Sequence, residues 1–191
     1  VNDLGLTNLL NKFNKFGIEN VPQDMSIALG TLTISPLKLA KYYTSFANKG
    51  VQVDTHIINY IEQHNSVIHE FTPSYRDITT PQQAFLITSI LKSVVDRGTG
   101  IRARVKGIDI AGQTGITNDN SEGWFAGYSP TIETVVWFGN DDNTPMNNRD
   151  TGSRVSGPAF NMYYINLLKL YPQIRREFDR PQGINKVEDS G

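Results

Sequence analysis

The residues best suited to chemistry lie within residues 110–130, which contain the triplet Gln113-Thr-Gly115. This stretch predicts an apolar strand with a polar, glycine-rich end, a short loop, and a second strand that opens near Trp124. A threonine hydroxyl, and a backbone that a ligand can approach closely at glycine, suit an anionic, peptide-like ligand. The triplet is therefore a candidate ligand-binding edge.

Composition limits the class of protein. The 191 residues, 38% of them hydrophobic, are enough for one domain or a large piece of one. A net charge of −1 gives no indication of nucleic-acid binding, and the absence of cysteine excludes disulfides and thiolate metal sites. We find no apolar run of 18 residues and no basic-then-apolar leader, so we expect a soluble chain without an export signal. A first residue other than Met suggests a chain cut from something longer.

Four helices are predicted from apolar periodicity, at residues 3–16, 35–50, 80–98 and 157–171. Ser35 and Thr80 are predicted N-caps, each followed by proline at the first helical position. Ser156 or Gly157 is expected to cap the last helix, with Pro158 in its first turn. The charged residues 172–191 are expected to form a flexible tail.

Between the helices the pattern changes to β. Residues 51–72 predict a hairpin that turns at His64-Asn65, and residues 108–117, 123–129 and 131–140 predict three strands. Ser129-Pro130 forms the tight connection between the last two strands. This order of helices and antiparallel strands predicts an α+β fold.

Separated motifs resemble those of a known family in the same order. They are Ala28-Leu-Gly-Thr31, Ser35-Pro-Leu-x-Leu-Ala40, Val94-Val-x-x-Gly-Thr-Gly100, and Gln113-Thr-Gly with the following Thr117-Asn-Asp-Asn120 and Trp124-Phe-x-Gly-Tyr128. Over about residues 5–171 the chain resembles the transpeptidase domain of class A penicillin-binding proteins, the bifunctional synthases of bacterial peptidoglycan. The resemblance implies the C-terminal part, residues 1–171, of the fold shared by serine β-lactamases and D,D-peptidases. In that fold a five-stranded antiparallel sheet is covered by a final helix.

The resemblance also implies roles for single residues. Gln113 stands where the family has lysine, while Thr114, aided by Thr117, would bind a substrate or penicillin carboxylate. Gly115 would let the ligand backbone approach, and the N–H of Ile116 would be a donor to the oxyanion. Trp124 would wall the cleft, although a strand tryptophan is also an ordinary core residue.

The nucleophile is expected outside this chain. By family order, the Ser-x-x-Lys and Ser-x-Asn motifs should precede Val1. Ser35-Pro-Leu-Lys38 matches Ser-x-x-Lys by spacing, but a serine directly before Pro36 is better explained as a helix cap. We therefore expect this chain alone to be inactive.

The implied function is part of a D,D-transpeptidase that cross-links stem peptides by serine acyl transfer and binds penicillin, without a metal or cofactor. Implied partners are peptidoglycan stem peptides, β-lactams and the remainder of the parent domain, at an extracytoplasmic site reached through a membrane anchor outside this chain. The alternative is a non-catalytic module on the same fold that binds a cell-wall peptide or a partner protein. Gln113 and Ile116 favour the module, whereas Thr114-Gly115 and residues 117–120 favour the enzyme.

Other candidates are weaker. Gly98-Thr-Gly100 could be only a helix C-cap or could line the groove. His56, His64 and His69 lack a metal-ligand spacing, and Asp141-Asp-Asn143 lacks the rest of a calcium loop. We expect these histidines and acidic residues to be solvated.

Overall fold

Runs of helices and runs of antiparallel strands follow one another along the chain, which confirms the α+β prediction. The structure, a computed structural model, describes residues 4–24, 27, 30, 32–116, 121–147 and 152–185. In chain order the elements are α1 (Leu6–Phe16), α2 (Pro36–Ala47), β1 (Val51–Val53), β2 (Tyr60–Gln63), β3 (Ser66–Glu70), β4 (Tyr75–Asp77), α3 (Pro81–Arg97), a 3₁₀ turn (Ile101–Ala103), β5 (Ala111–Ile116), β6 (Glu122–Tyr128), β7 (Glu133–Gly139) and α4 (Gly152–Leu170). As predicted, the hydroxyls of Ser35 and Thr80 cap α2 and α3.

The central sheet is the predicted antiparallel meander, in the order β5-β6-β7. In its register Thr114 lies opposite Phe125, and Gly115 lies opposite Trp124. Trp124 in turn lies opposite Trp137. Strand β5 begins three residues later than predicted and β7 is shorter than predicted at both ends, whereas β6 has the predicted length with a shift of one residue. The β6–β7 connection is closed by the N–H of Ser129, which donates to Ile132 O at 2.9 Å.

One face of the sheet is filled by Phe125 and α4. Phe125 is fully buried, and its ring centre lies 4.7 Å from that of Phe160 on α4. A Cβ added at Gly112 or at Gly127 would come within 2.7 Å of the Phe125 ring. The ring therefore lies over this glycine pair, and strand β5 keeps its place because no side chain competes for that space.

The other face meets α2 and α3 around Tyr128. This residue lies three positions along β6 from Phe125, and an odd spacing on a strand places side chains on opposite faces. The Tyr128 hydroxyl hydrogen-bonds Thr88 Oγ1 of α3 at 2.8 Å, and its ring lies 6.3 Å from that of Tyr43 on α2. Buried Tyr128 thus ties both helices to the sheet that carries the candidate site.

Helix α4 begins earlier than predicted. It starts at Gly152, so Pro158 lies inside the helix, not in its first turn, and Ser156 is not its cap. The buried Ser156 hydroxyl instead donates to Gly123 O at 2.6 Å. Pro158 removes one helical hydrogen bond. The contact of Ser156 with β6 lies between residues far apart in the chain, so the sequence pattern could not indicate it.

The β region at 51–72 also differs from a single hairpin. Strands β2 and β3 form the predicted hairpin, with His64 and Asn65 at φ 50° and 60° in its turn. Outside it, β1 pairs with β4, whose residues lie beyond the predicted segment. Strand β4 is short and exposed, and for that reason its sequence carries no apolar alternation.

Residues 172–185 require a correction to the expected flexible tail. Phe178 packs its ring 5.6 Å from that of Tyr128, and its N–H donates to Asp109 Oδ2 at 3.2 Å. Asp179 forms ion pairs with Lys49 and Arg175 at 2.9 and 2.7 Å. The charged side chains of this segment therefore form ion pairs, one of them with Lys49, just after the end of α2. Residues 186–191 lie outside the described residues.

Strand β7 begins with a half-buried carboxyl group, that of Glu133. Burial raises the pKa of Glu133 to about 8. Its Oε1 has no hydrogen-bond partner within the described ranges. Burial, and then the charge of Glu133, raise the pKa of Tyr43 to about 12. The folded chain thus favours the protonated form of Glu133.

We predict that Glu133→Gln removes a pH dependence of stability. A raised pKa means that the folded chain binds more protons than the unfolded chain between about pH 4.5 and about pH 8, so wild-type stability falls across that window as pH rises. The variant should match the wild type near pH 5 and exceed it near pH 8 by on the order of 1–2 kcal/mol. Urea unfolding at both pH values measures this difference, with Glu62→Gln on the exposed strand β2 as the control. An equal difference at both pH values would contradict the burial of this carboxyl.

Candidate ligand-binding strand

The outer edge of β5 is the candidate site. The Thr114 N–H donates to the Oε1 atom of Gln113 at 3.0 Å, so it points away from β6. Backbone direction alternates along a strand, and the N–H of Ile116 therefore points to the same outer edge. Among the described residues no strand pairs with this edge. A ligand lying along β5 can meet the Ile116 N–H there.

A network of polar side chains lies beside this edge. The Thr114 Oγ1 atom is 3.1 Å from Thr99 Oγ1 and 3.4 Å from Gln113 Oε1. Thr99 Oγ1 is also 3.4 Å from Gln113 Oε1. Thr114 is half-buried, whereas Thr99 and Gln113 are exposed. The edge thus presents two neutral hydroxyl groups and one amide to solvent, and such groups can bind a carboxylate without a protein cation.

The end of α3 positions Thr99. The N–H groups of Gly98 and Gly100 both donate to Val94 O at 3.0 Å, which folds the chain tightly over the last helical turn. A Cβ at Gly98 would lie 2.9 Å from the Val94 Cα atom, and one at Gly100 would lie 3.3 Å from the Phe125 ring. The motif at residues 98–100 therefore ends the helix and also brings the Thr99 hydroxyl to Thr114. Sequence reasoning left these two roles as alternatives.

Packing within the sheet explains why residue 115 is a glycine. A Cβ at this position would lie 3.2 Å from the Cβ atom of Trp124 on β6. The half-buried indole of Trp124 lies 6.2 Å from the ring of Trp137 and donates from Nε1 to Glu122 Oε2 at 3.1 Å. These contacts explain both residues by the packing of the sheet. A role for either in ligand contact stays a prediction.

Thr117 and the motif at residues 117–120 lie outside the described residues, as does most of the motif at residues 28–31. Only the backbone of Ile116 is described, and the oxyanion role concerns that backbone.

The Ser-x-x-Lys match at Ser35 is a helix cap. Ser35 lies at the N-cap of α2, and its Oγ accepts a hydrogen bond from the Lys38 N–H at 3.3 Å. This is the interaction expected of an N-cap serine, in agreement with the interpretation of this match from the sequence.

The described ranges show no group of three or more His, Cys, Asp or Glu side chains that could hold a metal ion. None of the helices in those ranges has the length and apolar character needed to cross a bilayer.

Comparisons with known proteins identify the family of this chain. Residues 4–164 match the family described as the penicillin binding protein transpeptidase domain. Penicillin-binding protein 1A of Aquifex aeolicus is 32% identical over 179 residues, which are 93% of this chain. The match covers most of the chain, so the chain belongs to the penicillin-binding protein transpeptidase family.

Solved structures give the same fold. The crystal structure of penicillin-binding protein 1A from Haemophilus influenzae has a TM-score of 0.82 and 22% identity, covering 93% of this chain and 33% of that one. Penicillin-binding protein A from M. tuberculosis, in a ceftriaxone acyl-enzyme complex, has a TM-score of 0.63 and 17% identity, covering 80% of this chain and 41% of that one. The chain spans 24% of the length of the Aquifex relative. The partial sheet of three strands is consistent with a part of this fold.

Proposed function

We propose that this chain supplies the substrate-binding strand of a peptidoglycan D,D-transpeptidase. The observation that carries the proposal is the open edge of β5, where the Thr114 hydroxyl, the Thr99 hydroxyl and the outward N–H of Ile116 lie on one side of one strand. The substrate class is a stem peptide that ends in D-Ala-D-Ala, and β-lactams would bind in its place. Family membership supports this substrate class.

Different groups along this strand would bind two different parts of the ligand. The terminal carboxylate would accept hydrogen bonds from Thr114 and Thr99. The carbonyl that is attacked would lie near Ile116, whose N–H stabilises the negative oxygen formed during the reaction. A serine outside these 191 residues would attack that carbonyl, the terminal D-Ala would leave with a proton as its amine, and an amine of a neighbouring strand would then displace the serine.

The proposed location and partners follow from the same role. The parent chain would act on the outer face of the cytoplasmic membrane, held by an anchor outside this chain. The remainder of the transpeptidase domain would be its partner, and no metal or organic cofactor takes part in the proposed reaction.

The rival proposal is a non-catalytic module that binds a cell-wall peptide or a partner protein. Gln113 supports it, since an amide in place of lysine gives neither charge nor a proton relay. Charged hydrogen bonds contribute about 1.5–3 kcal/mol each and neutral ones about 0.5–1.5 kcal/mol, so an amide in place of the ammonium weakens binding by roughly 1 kcal/mol, or about fivefold.

We predict that this chain alone does not form a covalent adduct with a fluorescent penicillin, because Ser35, the candidate nucleophile, is the N-cap of α2. Gel fluorescence and intact-mass spectrometry measure the adduct, with a complete class A penicillin-binding protein as the reactive control. A stable adduct mapped to Ser35, and lost in Ser35→Ala, would show that the cap serine is the nucleophile.

In a complete parent protein, Gln113→Lys should speed acylation by anionic β-lactams. An ammonium adds attraction for the ligand carboxylate that exceeds a neutral hydrogen bond by roughly 1 kcal/mol, or about fivefold in rate. The gain should shrink as salt is raised, because part of it is screened. The second-order acylation rate at low and high ionic strength measures it.

Gln63→Lys, on the exposed strand β2, is the matched control for added charge. No gain for Gln113→Lys at either salt concentration would contradict the placement of Gln113 at the carboxylate. Tighter binding without faster acylation would support the rival module.

A further inference from the structure

We infer that the Oε1 atom of Gln113 occupies the position of a ligand carboxylate oxygen, so that Gln113 is a built-in competitor that tunes the affinity of this edge for carboxylates. The inference rests on the proposed function for the identity of the ligand. The geometry does not depend on that identity: the Thr114 N–H, the Thr99 hydroxyl and the Thr114 hydroxyl surround one position for a hydrogen-bond acceptor, and the Oε1 atom of Gln113 fills it.

Three distances define the position of the hydrogen-bond acceptor. Gln113 Oε1 lies 3.0 Å from the Thr114 nitrogen, and 3.4 Å from each of the two threonine hydroxyl oxygens. The Thr114 N–H can only donate, so the amide atom facing it must be the oxygen and not the nitrogen. The orientation of the Gln113 amide is therefore set by its neighbours.

The protons can be assigned consistently. Each hydroxyl has one proton, and Thr114 Oγ1 has its shorter contact, 3.1 Å, with Thr99 Oγ1. If Thr114 donates to Thr99, then Thr99 donates to Gln113 Oε1, and the Thr114 N–H donates to the same oxygen. Two donors thus converge on Oε1, and the second hydroxyl strengthens the first by polarising it.

A carboxylate would use this arrangement better than an amide does. Hydrogen bonds to an ionised acceptor are shorter and roughly twice as strong as those between neutral groups. The Gln113 side chain is exposed, so it can rotate into solvent when a ligand enters. A lysine at this position would offer no acceptor and would leave both donors free, whereas Gln113 must be displaced first.

The first test replaces the amide with an attached carboxylate. In Gln113→Glu, the new carboxylate takes the place of Oε1, and its pKa should fall below the ordinary value of about 4.3 because the donors stabilise the ionised form. The pKa is measured by NMR titration of the 191-residue chain. Gln63→Glu on β2 is the matched control and should titrate close to the ordinary value.

Thr99→Val removes one hydroxyl while keeping the shape of the side chain. Added to Gln113→Glu, it should return the pKa part of the way toward the control. A pKa equal to that of the control, or one that Thr99→Val does not change, would overturn the inference.

The second test removes the competitor. Gln113→Ala should bind acetyl-D-alanyl-D-alanine at least about fivefold more tightly than the wild-type chain, the equivalent of one neutral hydrogen bond that no longer has to be displaced. Chemical-shift titration at the Thr114 amide measures the dissociation constants. The C-terminal amide of the same dipeptide, which lacks the carboxylate, should show no such gain.

No gain for Gln113→Ala would overturn the inference. The proposed transpeptidase function fails by a different result, the absence of penicillin acylation in a complete parent protein. That result would leave the lowered pKa in Gln113→Glu unchanged, so the two failures are distinguishable.

Discussion

The outer edge of β5 is the constraint on which the rest of the structure depends. A strand edge that receives a ligand must keep its N–H groups outside the sheet, and it must still hold its register without a second neighbouring strand. Unpaired edges also invite pairing with other chains. Here the Thr114 N–H is covered by the adjacent Gln113 side chain. One N–H of this edge is therefore covered by a side chain, which in our proposal a ligand displaces.

The remaining elements hold that edge from behind and from one end. On β6, the buried Phe125 fills the space over Gly112 and Gly127, so β5 can approach β6 closely. Helix α4 covers Phe125, and the end of α3 brings Thr99 to the front of the strand. The segment 172–185 packs against Tyr128 and ties the last helix back to the sheet. Each contact reduces the freedom of the strand that carries Thr114.

Local signals were sufficient to predict most of the fold. The caps at Ser35 and Thr80, the turn at His64-Asn65 and the three-strand meander depend on neighbouring residues, and the structure has them. Features that depend on distant contacts were missed. The early start of α4 depends on the hydroxyl of Ser156 reaching Gly123 O, and the packing of the tail depends on Phe178 reaching Tyr128.

In the candidate site, too, some features could be predicted from the sequence and others could not. Residue types and the family resemblance were enough to select Gln113-Thr-Gly115 as the candidate site. The contact between Thr99 and Thr114 could not, because fifteen residues and a helix end separate them in sequence. The conformation of Gln113 could not be predicted either. The Thr99 hydroxyl and the outward N–H of Thr114 determine which amide atom of Gln113 faces them, and their positions depend on the fold.

The most direct test of the central claim is a crystal structure of a complete parent protein soaked with a penicillin. We expect the ligand along the outer edge of β5, with its carboxylate within hydrogen-bond distance of the Thr114 and Thr99 hydroxyls and its acyl carbonyl oxygen on the Ile116 N–H. The Gln113 amide should have moved away from the Thr114 N–H. A ligand bound away from β5, or one whose carboxylate contacts neither threonine, would contradict the account.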